Sequence, residues 1–158
     1  MLSKHEEERA LSALLAQIET APIATTALVE RVLAQACPRL NSGRTRNVRI
    51  GPMIDAQAWV DLGLWLIGWE LPDWGVHSLS CDESRWNCTI GRRGLVINWA
   101  DVAQFQHDSA ALAVLGAFVQ AQLNKLVGVA PSIVATFRPA GGGAGAAPKA
   151  EGGQHDRH

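Results

Sequence analysis

Three side chains in this 158-residue chain could hold a metal or carry thiol chemistry close together: His77, Cys81 and Cys88. A structural zinc asks for four ligands, commonly with a tight Cys-x-x-Cys knuckle. Here six residues intervene between the cysteines, and no fourth ligand accompanies them. Unpaired cysteine is among the most buried residue types, so both are expected to be core thiols, with no metal site. An imidazole beside an apolar face needs a hydrogen-bond partner, which makes His77 a satisfied rim or core histidine. Asp101, His107 and Asp108 form an acid–base set before the last helix, of the kind that helix caps and polar loops produce. No Gly-x-Ser-x-Gly elbow, His-Glu-x-x-His motif or phosphate-cradling loop is present. The expectation is a protein that is not an enzyme and needs no cofactor.

Two further groups point to binding. Arg39, Arg44, Arg46 and Arg49 lie close together, and Arg92 and Arg93 sit at the tip of a hairpin. Arginines in such clusters contact phosphates, but the formal net charge of −1 supplies no global field for nucleic acid. A solvated loop is the leading reading, and a nucleic-acid-binding module the alternative. Of the six tryptophans, Trp59, Trp65, Trp69, Trp86 and Trp99 fit core faces. Trp74, in Pro-Asp-Trp-Gly, is expected to be partly exposed and suits a partner-binding anchor.

These residues must be positioned by helices and strands. The apolar fraction of 47% and charged fraction of 18% suit a globular core. An odd, low number of cysteines is no disulfide framework, and the acidic, polar start MLSKHEEER is no secretory signal. The apolar run 110–119 is too short to span a bilayer. A cytoplasmic protein is expected, without membrane contact.

Ser3 and Glu6 make a capping box that starts a first helix, with Leu11, Leu14, Leu15 and Ile18 as its stripe. A second helix starts at Thr25 or Thr26, and Pro38 stops it. Residues 39–52 read as turns, with Val48 and Ile50 as a short edge strand. Asp55 can cap a third helix to about Trp69, on which Trp59, Leu62, Leu66 and Trp69 share a face. Asp108 or Ser109 caps the last helix, whose wide apolar stripe implies burial over much of its circumference.

Between these helices lie three runs with strand character: VHSLSC, WNCTIG and GLVINW. Four-residue turns pair Cys81 with Trp86, Leu79 with Cys88 and His77 with Ile90. They then pair Ile90 with Leu95, Cys88 with Ile97 and Trp86 with Trp99. Alternation places all of these on one face. The other face carries Ser78, Ser80, Asn87, Thr89, Val96 and Asn98. It is neutral, and the N-terminal helical hairpin is expected to cover it, with a second subunit as the competitor.

Residues 67–121 resemble the small phage-type α-β-β-α sandwich proteins of bacterial prophages. The similar elements are Gly68-Trp69 before Pro72-Asp73-Trp74, the run Trp86-Asn87-Cys88-Thr89-Ile90, and the alanine- and leucine-rich last helix. The resemblance implies an α/β sandwich of prophage origin and carries over no functional residue.

The expected fold class is α+β: an N-terminal helical hairpin (1–38) docked on an α-β-β-β-α two-layer domain (52–137) with a three-stranded antiparallel meander. Residues 139–158 hold no large apolar side chain and are expected to be disordered. The expected function is that of a non-enzymatic accessory or protein-interaction protein, with an unknown protein or a second copy as partner. Trp74 and the polar sheet residues Ser78, Ser80, Asn87, Thr89 and Asn98 are its candidate contacts.

Overall fold

A computed structural model describes residues 3–43, 48–94 and 101–128. Helix α1 (Lys4–Thr20) begins at the expected capping box: the Ser3 hydroxyl accepts from the Glu6 amide while the Glu6 carboxylate accepts from the Ser3 amide. Helix α2 (Thr26–Ala36) is capped by Thr25, whose hydroxyl accepts from the Leu28 amide. Their stripes are buried through Leu11, Leu14, Ile18, Leu28, Val29 and Val32.

The next stretch corrects the expectation. Pro38 opens a short helix α3 (Pro38–Ser42) rather than only ending α2. Proline is tolerated in a first turn, where its missing N–H has no intrahelical acceptor to lose. Ile50 begins another short helix, α4 (Ile50–Asp55), so no edge strand forms, and Val48 is 83% exposed. Asp55 therefore ends α4 instead of capping the third long helix. That helix, α5 (Trp59–Glu70), starts after Gln57 turns the chain with a positive φ of 52°.

Strands β1 (Trp74–Asp82), β2 (Arg85–Arg92) and β3 (Val102–His107) form an antiparallel sheet in the order β1-β2-β3. The fold is α+β, with the expected three-stranded meander. Glu83 and Ser84 take positive φ values of 46° and 71° at the first turn. Two left-handed residues in a tight hairpin match the right-handed twist of the strands. Cys81 pairs with Trp86 and Leu79 with Cys88, as expected.

Two features of the sheet differ from the expectation. A bulge between Val76 and Ser78 brings Val76, not His77, opposite Ile90. The extra residue turns His77 out of the apolar face. Its imidazole lies over Gly91, with Nε2 2.8 Å from where a Cβ would stand, so only glycine there leaves the ring its place. The second difference is the third strand. The partner of β2 is not 94–99 but 102–107, a segment given no strand by the sequence: Ile90 pairs with Ala103, Cys88 with Phe105 and Trp86 with His107. The pairs assigned to Leu95, Ile97 and Trp99 fall on residues outside those described. Val102-Ala103-Gln104-Phe105-Gln106-His107 does alternate, with Ala103 and His107 buried and Gln104 and Gln106 exposed.

Helix α6 (Ala110–Val127), capped by the Ser109 hydroxyl, is the centre of the molecule. It packs on β2 and β3 on one side, on α1 on another and on α5 on a third. Ala111 to Val119 is consequently buried without interruption. The sheet sits so close that a Cβ on Gly116 would overlap the Phe105 ring. Helix α6 is long and apolar enough to cross a membrane by length and composition. Its enclosure on three sides accounts for that apolarity here. The N-terminal hairpin docks on α6, not on the outer face of the sheet as expected. Residues 129–158 lie outside those described, and with them the segment to Phe137 and the tail 139–158 that the sequence predicts to be disordered.

Candidate functional site

Most chemistry-bearing side chains prove to be apart or structurally engaged. Cys88 is fully buried and burial pushes its thiol up to about 11. Cys37 is also buried, and burial raises its thiol further, helped by the nearby Glu70 charge. Cys81 is exposed, which corrects its assignment to the core: it stands beside the turn of the first hairpin, where the pair with Trp86 precedes Glu83 and Ser84. With His77 on the opposite face, the three do not converge. Among the described residues no three histidine, cysteine or acidic side chains are grouped to hold a metal ion. Asp101 and His107 stand at opposite ends of β3, roughly 20 Å apart at 3.3 Å per residue. Asp101 faces Arg92 at 3.4 Å and Asp108 faces Arg85 at 3.5 Å. His107 is buried, and its Nδ1 accepts from the Ser109 amide at 2.9 Å. The expected acid–base set is therefore a strand end, two ion pairs and a helix start.

Trp74 is 6% exposed, against the expectation of a partly open anchor. Its place at the start of β1, beside the end of α5, folds it into the core. The outer sheet face is open: Ser78, Ser80, Gln104 and Gln106 are exposed, and Asn87 and Thr89 half-buried. Gln104 donates to the Asn87 side chain at 3.0 Å. Such a face is the ordinary solvated side of an antiparallel sheet. Asn98, Arg44 and Arg46 lie outside the described residues. Arg49 precedes α4. Arg93 lies over Gly75 and donates its amide to the Asp73 carbonyl at 2.7 Å. Arg39 donates from Nη1 to the Trp69 carbonyl at 2.9 Å.

That last contact leads to a surface the sequence reading did not single out. The buried arc of α5 is Trp59, Leu62, Gly63, Leu66, Ile67 and Glu70. Trp69 falls off this arc, although it was expected on the same face as Trp59 and Leu66. Glu70 takes the inner position because its carboxylate has work there. It accepts from the Arg39 amide at 3.1 Å and the Leu40 amide at 2.7 Å, the otherwise unpaired donors of α3. With Glu70 turned inward, the helical period turns Asp61, Leu64, Gly68 and Trp69 outward.

The outward face of α5 is thus apolar. Leu64 is 37% exposed and Trp69 45% exposed. The half-buried Trp65 stacks on Trp69 with ring centroids 5.4 Å apart and planes within 15°. Gly68 lies beside them with nothing within 4 Å of where its Cβ would be. Asp61 is the one charge of the helix on this face, and the Arg39 guanidinium marks its far end. The sequence does hold a signal for this: apart from Asp61, 59–69 is apolar around its circumference, which predicts either full enclosure or an exposed apolar face. No protein-family model matches the chain, and neither a curated protein nor a solved structure does.

Proposed function

We propose that the chain is a non-enzymatic interaction module, of the kind a prophage-derived accessory protein would be, and that it binds protein through the outward face of α5. The observation that carries this reading is the face formed by the exposed Leu64 and Trp69, with the half-buried Trp65 stacked on Trp69, on an otherwise well-buried helix. Tryptophan on a rigid helix supplies large contact area at little entropic cost, and it dominates binding energy where it recurs at interfaces. The polar outer sheet face has a sufficient explanation in solvation, and Trp74 is too enclosed to anchor a partner. Among the candidate arginines, Arg92 is offset by Asp101 and Arg39 is turned to a backbone carbonyl, which favours protein over phosphate as the ligand.

The test is photo-crosslinking in cells expressing the full chain. A photoreactive phenylalanine analogue replaces the exposed Trp69 in one variant and Ser80, on the outer sheet face, in another. The expected outcome is a discrete protein adduct from position 69 alone, reduced roughly tenfold or more by Leu64→Lys. Equal labelling from both positions, or none from 69, would overturn the proposal.

A further inference from the structure

From the charge pattern that brackets this face we infer that its occupant is a second copy of the chain, bound with the two α5 helices antiparallel. The inference rests on the interaction reading above and names its partner. Asp61 stands at the N-terminal end of the exposed stripe and Arg39 at the C-terminal end, where its guanidinium caps the Trp69 carbonyl. Among the described residues neither side chain is in an ion pair, and Arg39 keeps further N–H donors beyond the one it uses. The span from Asp61 to Trp69 is about 12 Å at 1.5 Å per residue.

A twofold axis across the stripe, level with position 66 along the helix, runs the two helices in opposite directions. It sets Asp61 of each copy against Arg39 of the other, so both charges are answered twice. The same operation lays Leu64 of each copy toward the notch at Gly68, where no atom stands within 4 Å of the Cβ position. The Trp65–Trp69 stacks of both copies then line one edge of the pair. A parallel arrangement would set Asp61 against Asp61 and Arg39 against Arg39, which like-charge repulsion disfavours. The face is self-complementary in the sense an isologous interface requires: one patch carries both the knob and the notch, and both signs of charge.

Sedimentation equilibrium of the purified full chain tests this across a concentration series, with circular dichroism melts verifying that each variant folds. The wild type is expected to reach the two-chain mass. Asp61→Arg and Arg39→Asp alone each replace two attractions by two repulsions and are expected to weaken association about tenfold or more. The double exchange Asp61→Arg with Arg39→Asp restores it to within about threefold of wild type, because the swapped charges again face opposite charges and the two effects are coupled rather than additive. Gly68→Arg, at a Cβ position with open space around it, is expected to abolish the dimer while the variant still melts cooperatively as a folded monomer. A monomer at every concentration, or a dimer indifferent to both charge exchanges, overturns the inference. In either case the photo-adduct from position 69 decides the broader reading separately: a mass other than two chains keeps the α5 face as a binding site and removes the second copy.

Discussion

Helices α5 and α6 are both apolar nearly all round, yet their surroundings differ. Helix α6 has the sheet on one side, α1 on another and α5 on a third, and its residues from Ala111 to Val119 are all buried. Helix α5 has α6, α4 and β1 against one side and solvent on the other. The same kind of composition therefore has two meanings. In α6 it is the means by which three layers share a core. In α5 it exceeds what the fold covers, and the excess is a surface.

The contrast is broken or sharpened by mutation. Phe118, fully buried on α6, should be the most sensitive position: Phe118→Ala is expected to cost about 3–5 kcal/mol in urea unfolding. A loss under about 1 kcal/mol there would mean that α6 is less enclosed than described.

Glu70 tests the inner edge of α5. Glu70→Ala leaves the Arg39 and Leu40 amides without their acceptor and is expected to cost about 1–3 kcal/mol. It should also loosen α3, seen as faster hydrogen exchange at those two amides. Unchanged exchange would show that the carboxylate does not hold α3.

The thiols report the same division between core and surface. Cys81 is expected to react promptly with an aromatic disulfide reagent in the folded protein, while Cys37 and Cys88 react only on unfolding. Burial raises the Cys88 thiol from its usual value near 9 to about 11. Folding therefore favours its neutral form. Stability is fully present below about pH 9 and declines as pH rises toward 11, where the unfolded chain gains by ionising. Urea midpoints measured across that window should fall, and should fall less in Cys88→Ala after its own cavity cost is subtracted. Equal midpoint slopes in the two proteins would count against burial of this thiol.

The smallest effect belongs to the outward face. Leu64→Gln is expected to change the stability of the monomer by no more than about 0.5 kcal/mol. A much larger loss would mean that this side of α5 is covered, and the comparison with α6 would collapse.

Several features were legible in the sequence because they are settled within a few residues. Ser3 with Glu6, Thr25 and Ser109 cap helices through bonds to amides three positions on. The β1–β2 hairpin from Leu79 to Cys88 follows from one tight turn and its flanking alternation. The wide stripe on α6 announced burial on several sides. Local periodicity could not decide between competing partners at long range. Leu95–Trp99 has the stronger apolar signal, but β2 pairs with 102–107, where Phe105 fits against Gly116 of α6. His77 alternates correctly for the inner face until a bulge, accommodated by the bare Cα of Gly91, moves it out.

The sequence by itself determined where most of the long helices begin, that a three-stranded meander forms, and that α5 and α6 carry more apolar surface than one stripe. Only the tertiary structure decided which of that surface is covered. The reason is physical: a helix periodicity states that a face is apolar, but coverage depends on which distant element reaches it. Here Glu70, held inward by two amides of α3, fixes the rotation of α5 and leaves Leu64, Trp65 and Trp69 turned toward solvent.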